Sequence, residues 1–446
     1  MRFRVLIPVF VVVLAAVAGS AAPAPAAPHE QKATTLSSAA DAYVNAAARR
    51  RNFGRARTLL VRGRPAARAY VRFDLRGVSG TVTRATLRIY ARSRSAPGFN
   101  VRTTGSGWSE RKITFANAPR PGATVAALRA VQRPGWQVID VTRAVHVGST
   151  ASFALTTGRS SLLLASRESG AKRPQLVVEE TPPETLLAAG DIADCDDSTG
   201  DQQTAALLDQ LPGTVAALGD LAYEDGTAAE FANCYARAWG RAYARTRPAP
   251  GNHEYQTPGA AGYFGYWGSI AGDPAKGYYS YDLGSWHMVS LNSNCAFIGG
   301  CGAGSAQETW LRADLTAHPA RCTLAYWHHP RFSGGFVGGD AMLAPIWQAL
   351  YANNADLVLT AHAHNYQRFA PMTAAGILDR SRGIREFVVG TGGASHHPGG
   401  QVANLEVFND TTYGVIKLTL RTTGYDWQFV PVAGGTFTDS GSTACH

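Results

Sequence analysis

The sequence predicts two domains of different class: an all-β sandwich, jelly-roll-like, over residues 33–180, and an α/β layered domain, a β-sandwich flanked by helices, over residues 186–446. Three observations predict this. At 446 residues the chain is too long for one ordinary core. Charge divides it: residues 33–180 hold 25 Lys+Arg and 7 Asp+Glu, a net of +18, whereas residues 181–446 hold 14 and 24, a net of −10. Such asymmetry marks units with different tasks. Hydrophobic periodicity divides it at the same place, with period-two segments alone in the first part and strands alternating with helical segments in the second.

In chain order, residues 1–27 read as a secretory signal peptide. Arg2 and Arg4 precede the apolar run "VLIPVFVVVLAAVAG", and small residues follow in "SAAPAPAAP", with cleavage expected between Ala22 and Pro28. No other run approaches membrane length, so the expected destination is extracellular, secreted, with no membrane span after cleavage.

In the first unit, Ala85, Leu87, Ile89 and Ala91 of "RATLRIYAR" alternate with Thr86, Arg88, Tyr90 and Arg92. "AYVRFDL", "WQVIDVT", "SFALTTG" and "QLVVEE" are further strands separated by Gly, Pro and Ser, the pattern of a β-sandwich with outward arginines. "TPPET", residues 181–185, is the linker. In the second unit the strands are "TLLAAG", "TVAALG", "HMVSLNS", "TLAYW", "DLVLT" and "EFVVG". Helical segments such as "DQQTAALLDQL" and "AMLAPIWQALYANN" fall between them, the order of a layered α/β fold. Ser305 with Glu308 forms a capping box ahead of "TWLRADLTAH", and "YGVIKLTLRTTGYDWQFVPV" reads as a hairpin.

All six cysteines lie in the second unit. In an exported chain they read as disulfides, for which 15 connectivities exist. The expected set is Cys195–Cys234, Cys295–Cys301 and Cys322–Cys445. The absence of a CxxC pair argues against a thiolate zinc site, and neither a GxxxxGK loop nor a GxGxxG fingerprint is present.

The chemistry stands at the strand ends. Gly190-Asp191 follows "TLLAA", and Gly219-Asp220-Leu221-Ala222-Tyr223 follows "TVAAL". Gly251-Asn252-His253-Glu254 follows "TRPAP", His328-His329-Pro330 follows "TLAYW", and Ala361-His362-Ala363-His364 follows "DLVLT". Ligands of layered α/β folds sit at the carboxyl ends of strands, so these clusters are expected on one rim. Carboxylate, amide and imidazole donors suit iron, zinc or manganese. Their number suits two ions about 3.5–4 Å apart sharing one carboxylate. Such a pair lowers the pKa of a bound water and binds phosphate oxygens.

The order GD, GDxxY, GNHE, HxP, xHxH resembles the calcineurin-like metallophosphoesterases, and the tyrosine of GDxxY resembles their purple acid phosphatase branch. The resemblance covers roughly residues 186–446. It implies one metal, iron, on Asp191, Asp220, Tyr223 and His364. It implies a second metal, iron, zinc or manganese, on Asp220, Asn252, His328 and His362, with Asp220 as the bridge. It further implies that His253 contacts the phosphate and protonates the leaving group, with His329 behind the ligands.

The sequence departs from that pattern at Ala193 and Ala361, where the family has Gly. Ala361 is expected to strain or shift the two histidines that follow. The loop "RFSGGFVGGD" lacks the substrate-facing histidine of relatives, with Val337 near its place. His396 and His397 are read as exposed loop histidines, with compensation for the missing histidine as the alternative. Glu254 is either an orienting group or a solvated one. Trp239, Tyr263, Tyr266 and Trp267 are expected to pack.

The first unit resembles DNRLRE-type, disaggregatase-related β-sandwich modules through "DAYVNAA", "YVRFDLRGVSGTVTRATLRIYA", "WSERKITFANAP" and "RPQLVV". The resemblance and the net +18 imply an anionic partner, either a polysaccharide or another extracellular polyanion. The alternative is a spacer whose arginines give solubility. Together these readings imply a secreted acid phosphatase-like hydrolase that cleaves phosphate monoesters by metal-hydroxide attack. The alternatives are a phosphodiesterase or nuclease on the same scaffold, and a polyanion-binding protein with a degenerate phosphatase domain.

Overall fold

The computed structural model describes residues 32–446 except 79, 95, 147, 148, 160, 197 and 198. The signal peptide lies outside the described residues.

Two antiparallel sheets form the first unit. One runs in the order Lys32–Ser37, Gln175–Thr181, Thr81–Ala91, Leu162–Ala165, Thr58–Val61, with Gly135–Asp140 also paired to Thr81–Ala91. The other runs Ala40–Asn45, Ala67–Asp74, Thr150–Thr156, Ala96–Thr103, Thr124–Val131. Strand period dictates the core: Ala85, Leu87, Ile89 and Ala91 point inward and meet Val71, Phe73, Phe153 and Leu155 of the facing sheet. Outward arginines are not idle, since Arg88 lies 4.9 Å from the Trp136 ring and Arg72 lies 5.2 Å from that of Trp108. "WSERKITFANAP" is a loop, and it seats Trp108 and Ile113 against Tyr70 and Ala154 on the outer face of the second sheet.

Two further sheets build the second unit. Strands Thr246–Ala249, Thr214–Leu218 and Glu184–Ala189 run parallel, and the sheet continues antiparallel through Gly414–Arg421, Gly424–Pro431 and Ser440–Ala444. The opposing sheet runs Tyr279–Leu283, Trp286–Ser290, Cys322–Tyr326, Leu357–Thr360, Arg385–Val389, Tyr366–Phe369, Leu405–Asn409, with its middle four strands parallel. Their inner faces share one core that includes Leu187, Leu218, Leu324, Leu359, Phe387 and Ile416. Those strands are apolar on both faces because helices such as Thr199–Gln210, Ala306–Ala317 and Ala344–Ala352 cover them.

The predicted hairpin is Gly414–Arg421 with Gly424–Pro431. At Ser305 half of the expected box forms: its hydroxyl accepts from Glu308 N, while Glu308 turns to Gly304 N. A reciprocal box closes at Thr227 and Glu230 instead. The three disulfides pair as expected, and Cys322–Cys445 ties the C-terminal end to the head of an inner strand.

Candidate metal centre

The parallel strands of both sheets deliver their carboxyl ends to one rim, which is where the polar clusters stand. Asp191 follows Glu184–Ala189, Asp220 follows Thr214–Leu218, and Asn252 follows Thr246–Ala249. His328 follows Cys322–Tyr326, and His362 with His364 follows Leu357–Thr360. Tyr223 arrives through a two-residue parallel bridge in which Ala222 and Tyr223 pair with Ala193 and Asp194. The backbone is bent to present them: φ is +57° at Asp191, +49° at Asp220, +67° at His362 and +51° at His364. Left-handed conformations at non-glycine residues cost of order 1–3 kcal/mol each and concentrate at functional sites.

All seven side chains converge. Tyr223 Oη lies 3.2 Å from Asp191 Oδ1, 3.3 Å from Asp220 Oδ2 and 3.0 Å from His364 Nε2. His328 Nε2 lies 3.0 Å from Asp220 Oδ2, 3.1 Å from Asn252 Oδ1 and 3.1 Å from His362 Nδ1. Asp220 stands in both groups, and ligand atoms of Asp220, His328 and His362 all lie within 4.8 Å of one another. His328 Nδ1 donates to Leu218 O at 2.9 Å and His364 Nδ1 to Ser395 O at 2.6 Å, so each ring turns the lone pair of Nε2 into the cluster. Asp191 is fully buried, yet its Oδ2 has no hydrogen-bond partner. A buried orphan carboxylate oxygen beside inward imidazole lone pairs fits cations and fits nothing apolar.

The same residues set the electrostatics of the cluster. Burial works against the Asp220 carboxylate, but the charge and hydrogen bond of His328 hold its pKa below the usual carboxylate range. Burial likewise opposes charge on His328, and Asp220 and Asp191 overcome it, raising its pKa to about 9. Burial and the neighbouring His328 and His329 push His362 well down. Burial, Asp191 and Asp220 push the Tyr223 phenol well above its ordinary value, so only a strong cation at its oxygen would ionise it.

His253 borders this cluster. Its backbone N–H donates to Asp220 Oδ1 at 2.9 Å, its ring packs 4.4 Å from that of Tyr223, and its Nε2 lies 3.9 Å from Asp220 Oδ2. The imidazole is about a quarter exposed and Nδ1 is held by Glu224 O. His329 turns aside to Ser293 Oγ at 2.8 Å.

Four features differ from, or settle, what the sequence suggested. Glu254 is an orienting group: fully buried, it accepts from Asp220 N at 3.0 Å, Leu221 N at 2.7 Å and Gly251 N at 2.6 Å, which clamps two of the loops together. Ala361 produces no left-handed residue of its own, and its methyl fits because Gly190 faces it: a Cβ at Gly190 would come within 2.6 Å. Gly219, at φ +83°, cannot be replaced this way, since a Cβ there would meet the His328 ring at 2.7 Å. His396 and His397 are not exposed loop residues. His397 stacks on His364 with centroids 4.2 Å apart, His396 packs 4.1 Å from the Tyr413 ring, and His397 Nδ1 is buried without a partner. The missed signal was positional: "EFVVG" is a sixth apolar strand ending at the same rim. Its loop is also tied to the one that lacks a histidine, through Phe336 N to Pro398 O and the Gly335–Gly399 bridge.

Comparison with known proteins agrees with this geometry. Residues 174–366 match the family model of the calcineurin-like phosphoesterases, and residues 32–180 match carbohydrate-binding module family 96. The probable inactive purple acid phosphatase 9 of Arabidopsis thaliana is 24% identical over 43% of this chain and 35% of its own length. Purple acid phosphatase 18 of the same plant is 30% identical over 22% and 23%. An uncharacterized protein of Mycobacterium tuberculosis, Rv2577, is 29% identical over 33% and 35%. The chain thus spans about a third or less of the length of these relatives. The structure of purple acid phosphatase PPD1 from yellow lupin seeds is 14% identical, with a TM-score of 0.47, covering 87% of this chain and 74% of that one. The C-terminal unit thus carries a match to the calcineurin-like phosphoesterases, with purple acid phosphatases among its relatives, and the N-terminal unit a match to carbohydrate-binding module family 96.

Proposed function

We propose that the chain is a secreted phosphatase that uses two metal ions to hydrolyse phosphate monoesters. The proposed parts are a leader at 1–27, a tethering module at 33–180, a linker at 181–185 and the catalytic domain at 186–446. The observation that carries the reading is the convergence of seven donors from separate loops around the shared Asp220. Asp191, Asp220, Tyr223 and His364 would hold iron, and Asp220, Asn252, His328 and His362 would hold iron, zinc or manganese. When bound, such a pair supplies hydroxide near neutral pH and neutralises phosphate charge. The chain's own residues do the rest. Leu218 O and Ser395 O fix the ring orientations of His328 and His364, and Glu254 fixes the Asp220 loop. His253, partly exposed at the rim, is placed to contact the ester and hand a proton to its leaving oxygen. His397, stacked on His364 beside the loop of Val337, is placed to face the substrate where relatives use a loop histidine.

The module is proposed to tether the enzyme to an anionic polysaccharide. Its net +18 and its arginines laid over Phe115, Trp108 and Trp136 support that reading.

The test is hydrolysis of a chromogenic phosphate monoester and its diester analogue across pH by residues 28–446, beside Asn252→Ala. Turnover of the monoester, lost in the variant, supports the proposal. Turnover of the diester alone would replace it with a phosphodiesterase, and metal-free inactive protein with a binding protein.

A further inference from the structure

A second cluster of ligand-type side chains lies outside that rim. His287, on strand Trp286–Ser290, is almost completely buried. Its Nε2 lies 2.8 Å from Asp314 Oδ2. Asp314 is on the helix Ala306–Ala317, and one turn later His318, the C-cap, brings Nδ1 to 3.1 Å from Asp314 Oδ1. On the far side of His287, Nδ1 is 3.1 Å from Asp282 Oδ1, on the paired strand Tyr279–Leu283. The two imidazoles face each other with centroids 4.9 Å apart. Ligand atoms of His287, Asp314 and His318 all lie within 4.8 Å of one another.

We infer that His287, Asp314 and His318 form a zinc site. Two imidazoles and one carboxylate are a donor set suited to zinc. Tetrahedral zinc with bonds of about 2.0–2.1 Å sets its ligand atoms about 3.3 Å apart, and here each histidine nitrogen lies 2.8 or 3.1 Å from one oxygen of the Asp314 carboxylate. Asp282 stands where the orienting carboxylate of a zinc-bound histidine stands, behind the other ring nitrogen. Zinc would replace the proton that His287 Nε2 shares with Asp314 Oδ2 and the one that His318 Nδ1 shares with Asp314 Oδ1 and the Asp314 backbone carbonyl, 3.0 Å away: the imidazoles bind as neutral rings, His318 keeping its proton on Nε2, the helix-end bond to Asp314 O is given up, and the displaced protons go to solvent. The His318 side chain is about half exposed, so the cluster is open to solvent on that side. His318 and Asp282 line a cleft of about 670 Å³ with Thr81 of the β-sandwich and Thr422 of the C-terminal hairpin turn. The site therefore sits at the seam of the two units. Its argument does not pass through the proposed phosphatase activity.

The test is zinc content of the full chain after equilibration with zinc and removal of the excess, beside His318→Ala and Asp314→Asn. Because His318 is a half-exposed cap, His318→Ala is expected to fold. The expected result is one zinc per chain fewer in both variants, with monoester turnover unchanged in His318→Ala. A melting temperature raised by zinc in the parent and raised less in His318→Ala is the second readout. Equal zinc content in the parent and a folded His318→Ala overturns the site, whether or not the chain proves to be a phosphatase.

Discussion

The two units treat polar groups in opposite ways. In the β-sandwich the arginines stand on the surface, several of them over aromatic rings, and the core is apolar alternation. In the C-terminal unit the charge goes inside: Asp191, Asp220, Glu254, His328 and His364 are all buried or nearly so. Backbone strain follows the same division. Among the described residues, every non-glycine residue with positive φ is in the C-terminal unit, and four of the seven are Asp191, Asp220, His362 and His364. Buried charge and left-handed backbone both oppose stability. At the rim of the C-terminal unit the two coincide on the same residues, Asp191, Asp220 and His364.

The sharpest way to break this contrast is to change the shared carboxylate. Asp220→Asn is expected to lower monoester turnover by about 10³-fold or more, on the scale of a lost charge-stabilising group. A mild effect would mean the rim is structural. His253→Ala should cost about 10²–10⁴-fold, with the loss greatest for substrates whose leaving groups need protonation. Glu254→Gln tests positioning rather than chemistry: it should weaken metal affinity by about 10–100-fold while the fold persists.

On the other side of the contrast, Leu87→Ala should destabilise the sandwich by about 2–5 kcal/mol, read from melting, and leave turnover at low temperature unchanged. Asp41 sharpens the comparison further, as a buried carboxylate within the sandwich. Burial raises its pKa to about 7, with the nearby Glu168 and Glu110 adding to the shift. Its protonated form is the one the fold favours. The stabilisation is therefore complete below the unfolded value near 3.8 and is lost as pH rises through about 7. Asp41→Asn should flatten that part of the stability profile, and an unchanged profile would remove Asp41 as its source. The smallest effect is expected at Arg88→Ala, which should change stability by less than about 1 kcal/mol and weaken retention on a uronate polysaccharide at low salt.

Much of this was legible in the sequence because strand ends are legible. Apolar runs that stop at Gly-Asp, Gly-Asn or paired histidines fix both the layer order and the rim. Other features needed three dimensions. Whether Glu254 was solvated depended on three backbone N–H groups from two loops closing around it. Ala361 looked costly because its partner, Gly190, lies 171 positions away in the chain but a methyl group away in space. His397 looked exposed because a glycine-rich loop gives no periodicity from which to read stacking on His364. The cluster of His287, Asp314 and His318 joins a strand to a helix end, and no local spacing announces it.

The most direct test of the central claim, two metals shared by Asp220, is the visible spectrum of the iron-loaded full chain beside Tyr223→Phe and Asn252→Ala. A tyrosinate-to-iron band that disappears in Tyr223→Phe and survives in Asn252→Ala is the predicted result, since the two residues serve different ions. Bound iron with a band unchanged in Tyr223→Phe, or with no band in the parent, would contradict it.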